Sequence, residues 1–165
     1  MESDQIAVLK RWHYHDICII MYTGKVAKTD KGGFFMAIVK FYRGDPNAPK
    51  TTMGAHLGAN AIITCKGRLL LEKRRDSDVW GLIGGSVKKK ETELDAMVRE
   101  VREELGLRIP KEHFRRLRSY GEPGRIAAYQ DGSVWRMVIV VYALELVEEP
   151  NMVISHESRE LRFFS

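Results

Sequence analysis

The stretch that most constrains this chain runs from Thr92 to Leu105, Thr-Glu-Leu-Asp-Ala-Met-Val-Arg-Glu-Val-Arg-Glu-Glu-Leu. At about 100° per residue, Leu94, Met97, Val98, Val101 and Leu105 fall on one arc, which predicts an amphipathic helix with that arc against a core. Thr92 is placed to cap its start, with Asp95 three residues on completing a loose capping box. Gly106 stands where a left-handed C-terminal cap is usual. Glu93, Glu100, Glu103 and Glu104 fall together on much of the opposite side, with Arg99 and Arg102 at its flank. Like charges at this spacing repel by roughly a few tenths of a kcal/mol per pair. One reading is a solvated acidic face. The other is a cation site, because Glu100, Glu103 and Glu104 are spaced so that their oxygens can converge, and hard divalent cations take oxygen ligands.

Strands surround this helix. Ala61 to Cys65 and Arg68 to Glu72 read as two strands joined at Lys66-Gly67. Further strands are expected at Phe114 to Ser119 and at Val134 to Leu146, the second apolar enough to lie centrally in a sheet. Nearer the start, Ile17 to Tyr22 and Phe34 to Val39 read as a β-hairpin-like pair. The proline-containing stretch from Arg43 to Lys50 follows as a linker. This divides the chain into a β extension with linker over 1–50 and a main domain over 51–165, an α/β or α+β sandwich.

Composition narrows the class. A chain of 165 residues with 44% hydrophobic and 30% charged residues is ordinary for one soluble domain, and buries roughly two thirds of its unfolded surface. The longest early apolar run, Ile17 to Tyr22, falls well short of the ~20 residues a membrane span needs. The acidic start, Met1-Glu2-Ser3-Asp4-Gln5, does not resemble a signal peptide. Cys18 and Cys65 show no metal-type spacing and read as reduced thiols, so a cytoplasmic location is expected. The net charge of +5 suits a polyanionic partner, but its even spread does not point to nucleic acid.

The segment from Gly85 to Leu107 then settles the meaning of the acidic helix. It reads Gly85, five residues, Glu91, seven residues, Arg99-Glu100, an aliphatic Val101, Arg102, Glu103-Glu104, Leu105, Gly106 and an aliphatic Leu107. This matches the Nudix signature at every defined position, and a chance match in such a chain is on the order of one in ten million. The chain therefore resembles the Nudix (MutT-like) hydrolase family over about residues 55 to 165.

That resemblance implies an α/β/α sandwich with a mixed sheet, and Mg²⁺- or Mn²⁺-dependent hydrolysis of a pyrophosphate bond. The metal would be held by Glu100, Glu103 and Glu104 with the carbonyl of Gly85, while Glu91 and Arg99 pair with other residues of the motif and orient the ligands. Glu100 doubles as a candidate catalytic residue. Some relatives take the general base from the motif and others from a downstream loop. Glu157, in a segment resembling that loop, is the candidate here; an ordinary loop acid is the alternative, and His156 is a weaker candidate. Arg74 and Arg75 are expected to contact phosphate, since an arginine fork matches its oxygens; a solvated strand end is the alternative. Lys88, Lys89 and Lys90 fall in the variable part of the motif and should face solvent. Tyr129, Trp135, Trp12 and Phe34 are aromatic candidates for stacking a base, or core residues.

Pro123, sixteen residues past the motif, sits at a spacing resembling relatives that act on ADP-ribose, although a proline also suits the turn Gly121-Glu122-Pro123-Gly124. The expected substrate is a small nucleotide, a nucleoside diphosphate derivative such as ADP-ribose or a nucleotide sugar. A nucleoside triphosphate pyrophosphohydrolase, or a nucleotide-sensing module without catalysis, is the alternative. Two departures stand out. Ile83 replaces the proline many relatives carry before the paired glycines, and the chain ends at Ser165 where relatives continue into a helix. Either that helix is lacking here or the N-terminal segment replaces it, and exchange of the N-terminal hairpin between two copies in a homodimer is a further expectation.

Overall fold

The computed structural model describes residues 39–75 and 80–165. The expected strand at 17–22, most of that at 34–39, Trp12, Cys18 and the dimer exchange lie outside the described residues. Strand β1 covers Val39–Arg43, so the expected linker begins as the end of a strand. Then come β2 (Ala55–Cys65), β3 (Arg68–Arg74), β4 (Trp80–Gly81) and β5 (Ile83–Ser86). Helix α1 (Glu93–Leu105) is followed by β6 (Arg115–Tyr120), β7 (Arg125–Tyr129), β8 (Val134–Leu146) and β9 (Ser158–Phe164).

One mixed sheet results, in the order β1-β7-β8-β2-β3-β4, with β5 on β2, β6 on β8 and β9 on β3. The long β8 pairs in parallel with the whole length of β2, from Ala55 opposite Arg136 to Cys65 opposite Leu146. All other described pairs are antiparallel. Central burial of β8 follows from its apolar run, as expected.

The pleat sorts the core into two. Ala61, Ile63, Leu70, Val140, Tyr142 and Leu144 face α1 and pack with Ala96, Met97, Val101 and Leu105. Ile62, Leu69, Leu71, Ile139 and Val141 face the other way and pack with Leu82, Tyr120, Ala127 and Met137. Among the described residues α1 is the one α-helix, and with the mixed sheet it gives the expected α+β arrangement. Phe41, Trp80, Trp135 and Phe164 contribute to the second cluster. No helix among the described residues is long and apolar enough to cross a membrane.

Candidate active site

Helix α1 begins as its sequence dictates. The Thr92 side chain accepts from the Asp95 amide at 3.1 Å, and Asp95 Oδ2 accepts from the Thr92 amide at 3.1 Å, a complete capping box. Lys111 Nζ also pairs with Asp95, and together these hold that carboxyl well below its ordinary range. Gly106, at φ 71°, ends the helix and donates to the Arg102 carbonyl.

The preceding loop is fastened by one arginine. Arg99 Nε and Nη2 grip both Glu91 oxygens at 3.1 and 2.7 Å. Its Nη1 donates to Glu100 Oε1 at 2.6 Å and Glu103 Oε2 at 3.0 Å, and Nη2 also reaches the Ser86 carbonyl at 3.0 Å. Glu91 accepts besides from the Lys88 amide. Chiefly because of the Arg99 hydrogen bonds, its pKa falls from 4.5 to about 2. The three lysines 88–90 are exposed.

Glycine is required twice at the end of β5. At Gly84, φ is 151° and an added Cβ would stand 2.2 Å from the Ala59 carbonyl oxygen. At Gly85 it would stand 2.4 Å from Glu100 Oε1, so the carboxylate occupies the space a side chain would fill. Gly85 and Glu100 are thus brought together.

Glu104 corrects the sequence reading. Helical spacing places it on the outer acidic side, yet it lies four residues from Glu100 and three from buried Val101, and is only 4% exposed. Its Oε2 accepts from the Gly84 amide at 3.1 Å. Burial, with the nearby charges of Glu72 and Glu100, raises its pKa to about 9. Glu103 stays half exposed.

Glu72 was missed. On β3 it alternates onto the same face as Leu70, toward α1, and is 1% exposed. Ser158 Oγ donates to its Oε2 at 2.7 Å, and Arg74 Nη1 lies 3.4 Å from its Oε1. A bulge between Lys73 and Arg74 sets Ser158 opposite Arg74. The signal was available: a lone carboxylate in Leu-Leu-Leu-Glu, on the buried alternation, needs a partner.

The expected phosphate-binding pair divides. Arg74 stays on the carboxylate side, its charge acting on Glu104. Arg75 gives its guanidinium to the His156 and Ser158 carbonyls. Glu157 is half exposed in the loop before β9, and His156 is almost fully exposed. Pro123 is exposed in the turn between β6 and β7, closed by the Arg125 amide on the Glu122 carbonyl. Tyr129 and Trp135 are half-buried against the second core cluster.

Among the described residues no three His, Cys, Asp or Glu side chains meet closely enough, as they stand, to hold a metal ion. The donor set nevertheless suits a hard cation. Burial, and after it the charges of Glu72 and Glu100, raise the pKa of Glu104, and Arg99 is the cation resting on Glu100 and Glu103.

A NUDIX domain model matches residues 54–165. No curated protein matches the sequence. The structure is similar to a MutT/nudix family protein from Enterococcus faecalis, at 25% identity and a TM-score of 0.57, over 72% of this chain and 46% of that one. It is also similar to a bifunctional NMN adenylyltransferase/ADP ribose pyrophosphatase from Francisella tularensis, solved with AMP and Mn ion. There the identity is 18% and the TM-score 0.54, over 70% and 35% of the two chains. A third likeness is to the NUDIX domain of Shewanella oneidensis NrtR in complex with ADP ribose, at 19% identity and 0.52, over 73% and 77%. This chain spans less than half the length of the first two proteins. The last two likenesses, below 25% identity, bear on the fold alone.

Proposed function

This chain belongs to the NUDIX hydrolase family, and we propose that it hydrolyses the pyrophosphate bond of a small nucleoside diphosphate derivative, an ADP-ribose-like compound or a nucleotide sugar. The observation that carries this reading is the grouping of Glu100, Glu103 and Glu104 at the C-terminal half of α1, braced by Arg99 and set against the side-chain-free Gly85. Glu100, Glu103, Glu104 and the Gly85 carbonyl would hold Mg²⁺ or Mn²⁺. Such a cation supplies positive charge against the pyrophosphate oxygens and so admits a nucleophile.

The chain's own residues do the rest. Arg74, on the same side of β3 as Glu72, meets the substrate phosphates with its planar fork. Glu157 takes a proton from the attacking water. The water oxygen bonds to one phosphorus, the bond from that phosphorus to the bridging oxygen breaks, and two phosphate-bearing products leave. Arg99 and Glu91 touch no reacting atom in this scheme. They hold Glu100 and the loop at Ser86 in place.

Phosphate and nucleotide release from nucleoside diphosphate sugars, ADP-ribose, nucleoside triphosphates and dinucleoside polyphosphates, each with Mg²⁺ or Mn²⁺, tests the reading. Preference for a diphosphate derivative is expected. Preference for triphosphates would replace the substrate class, and tight nucleotide binding without turnover would make the protein a sensing module.

A further inference from the structure

Arg75 makes an arrangement that a phosphate contact does not need. Its amide donates to the Glu157 carbonyl at 2.8 Å, its Nε to the His156 carbonyl at 3.0 Å, and its Nη2 to the Ser158 carbonyl at 3.0 Å. One residue at the end of β3 thereby holds three consecutive carbonyls, those of Glu157 and both its neighbours. The segment is fastened twice more, by the Glu157 amide on Ser155 Oγ at 3.2 Å and by Ser158 Oγ on Glu72.

We infer that Arg75 is a positioning residue that fixes the backbone of Glu157, an inference resting on the reading of Glu157 as the general base. With the main chain held on both sides, the freedom left to Glu157 is its own side-chain torsions. A rigid guanidinium suits this work better than a lysine, whose single ammonium is a point charge on a flexible stem. Because β3 also carries Glu72 and Arg74, the clamp ties the loop to the strand that borders the carboxylate cluster. Misplacing a reacting group by about 1 Å can cost on the order of 10²-fold in rate.

The test compares Arg75→Ala, Arg75→Lys, Glu157→Gln and the Arg75→Ala/Glu157→Gln pair in the full chain. The readouts are kcat and KM on the best substrate of the panel, and hydrogen–deuterium exchange across residues 155–158. Arg75→Ala should lower kcat by about 10- to 100-fold with KM within about twofold. Arg75→Lys should fall between it and wild type, and carries the comparison if the alanine variant does not fold. The double variant should be no slower than Glu157→Gln, and exchange across 155–158 should quicken in Arg75→Ala. A large rise in KM at unchanged kcat would make Arg75 a phosphate contact and overturn the inference, as would losses that multiply. Unchanged exchange overturns the clamp, whereas full activity in Glu157→Gln overturns the base reading, so the two failures are told apart.

Discussion

Ser158 Oγ donates a 2.7 Å hydrogen bond to Glu72 Oε2, tying the first residue of β9 to a carboxylate buried on β3. A buried carboxylate loses its hydration on folding, and each donor removed from it is costly. Ser158→Ala should lower stability by about 1–2 kcal/mol in urea unfolding. An unchanged midpoint would mean that the remaining partners of Glu72 suffice.

The two glycines of β5 should respond in opposite ways. A Cβ at Gly84 meets backbone, the Ala59 carbonyl oxygen, at a φ of 151°, so Gly84→Ala has nowhere to relax and should yield little folded protein. A Cβ at Gly85 meets only the end of the Glu100 side chain, which can swing aside. Gly85→Ala should therefore fold, with turnover lost as Glu100 is displaced. Circular dichroism and activity on both variants check this. An active Gly85→Ala would contradict it.

Glu104 makes a pH-dependent claim. Its pKa is raised in the folded protein from 4.5 to about 9, so the folded state binds the proton more tightly than the unfolded one. Its contribution is fully present below pH 4.5 and is lost as pH rises toward 9. In chelator the Tm should accordingly decline over that window, and Glu104→Gln should flatten the decline. A bound divalent cation displaces the proton, so Mg²⁺ or Mn²⁺ should raise Tm more at pH 8 than at pH 6. Equal cation effects at both pH values would count against Glu104 as a ligand.

Glu91 has the opposite sign. Its pKa is depressed to about 2, so its contribution is present above pH 4.5 and is lost as pH falls through that value toward 2. Glu91→Gln should weaken the acid limb of the stability profile. Arg99→Lys keeps the charge but gives up the fork on Glu91, and should lower Tm at pH 7 by roughly 3–6 °C. Thermal denaturation from pH 3 to 8 measures both. A Tm unmoved by Arg99→Lys would show that the loop is held by other means.

What the sequence made legible was local. The capping box of Thr92 and Asp95 and the left-handed Gly106 follow from spacing within one segment, and the resemblance implied that Glu91 and Arg99 pair within the motif. The apolar run of β8 announced a central strand. What escaped depends on partners distant in the chain. Glu104 shares the helix's acidic spacing, yet its three-residue step from Val101 turns it inward, where β3 supplies Glu72. The hold of Arg75 on the His156 and Ser158 carbonyls, 81 and 83 residues away, is equally invisible in the local sequence. Strand β9 itself, Ser-Arg-Glu-Leu-Arg-Phe-Phe, carries too many charges for its alternation to stand out, and pairing with β3 is what makes it a strand.

The most direct test of the account is turnover of nucleoside diphosphate derivatives with Mg²⁺ by wild type and by Glu104→Gln, with fold and cation affinity measured alongside. The account predicts cation-dependent release of two phosphate-bearing products by the wild type. The folded variant should bind the cation weakly and show no turnover. Undiminished turnover in Glu104→Gln, or a wild type that binds cation and substrate but releases no product, would contradict it.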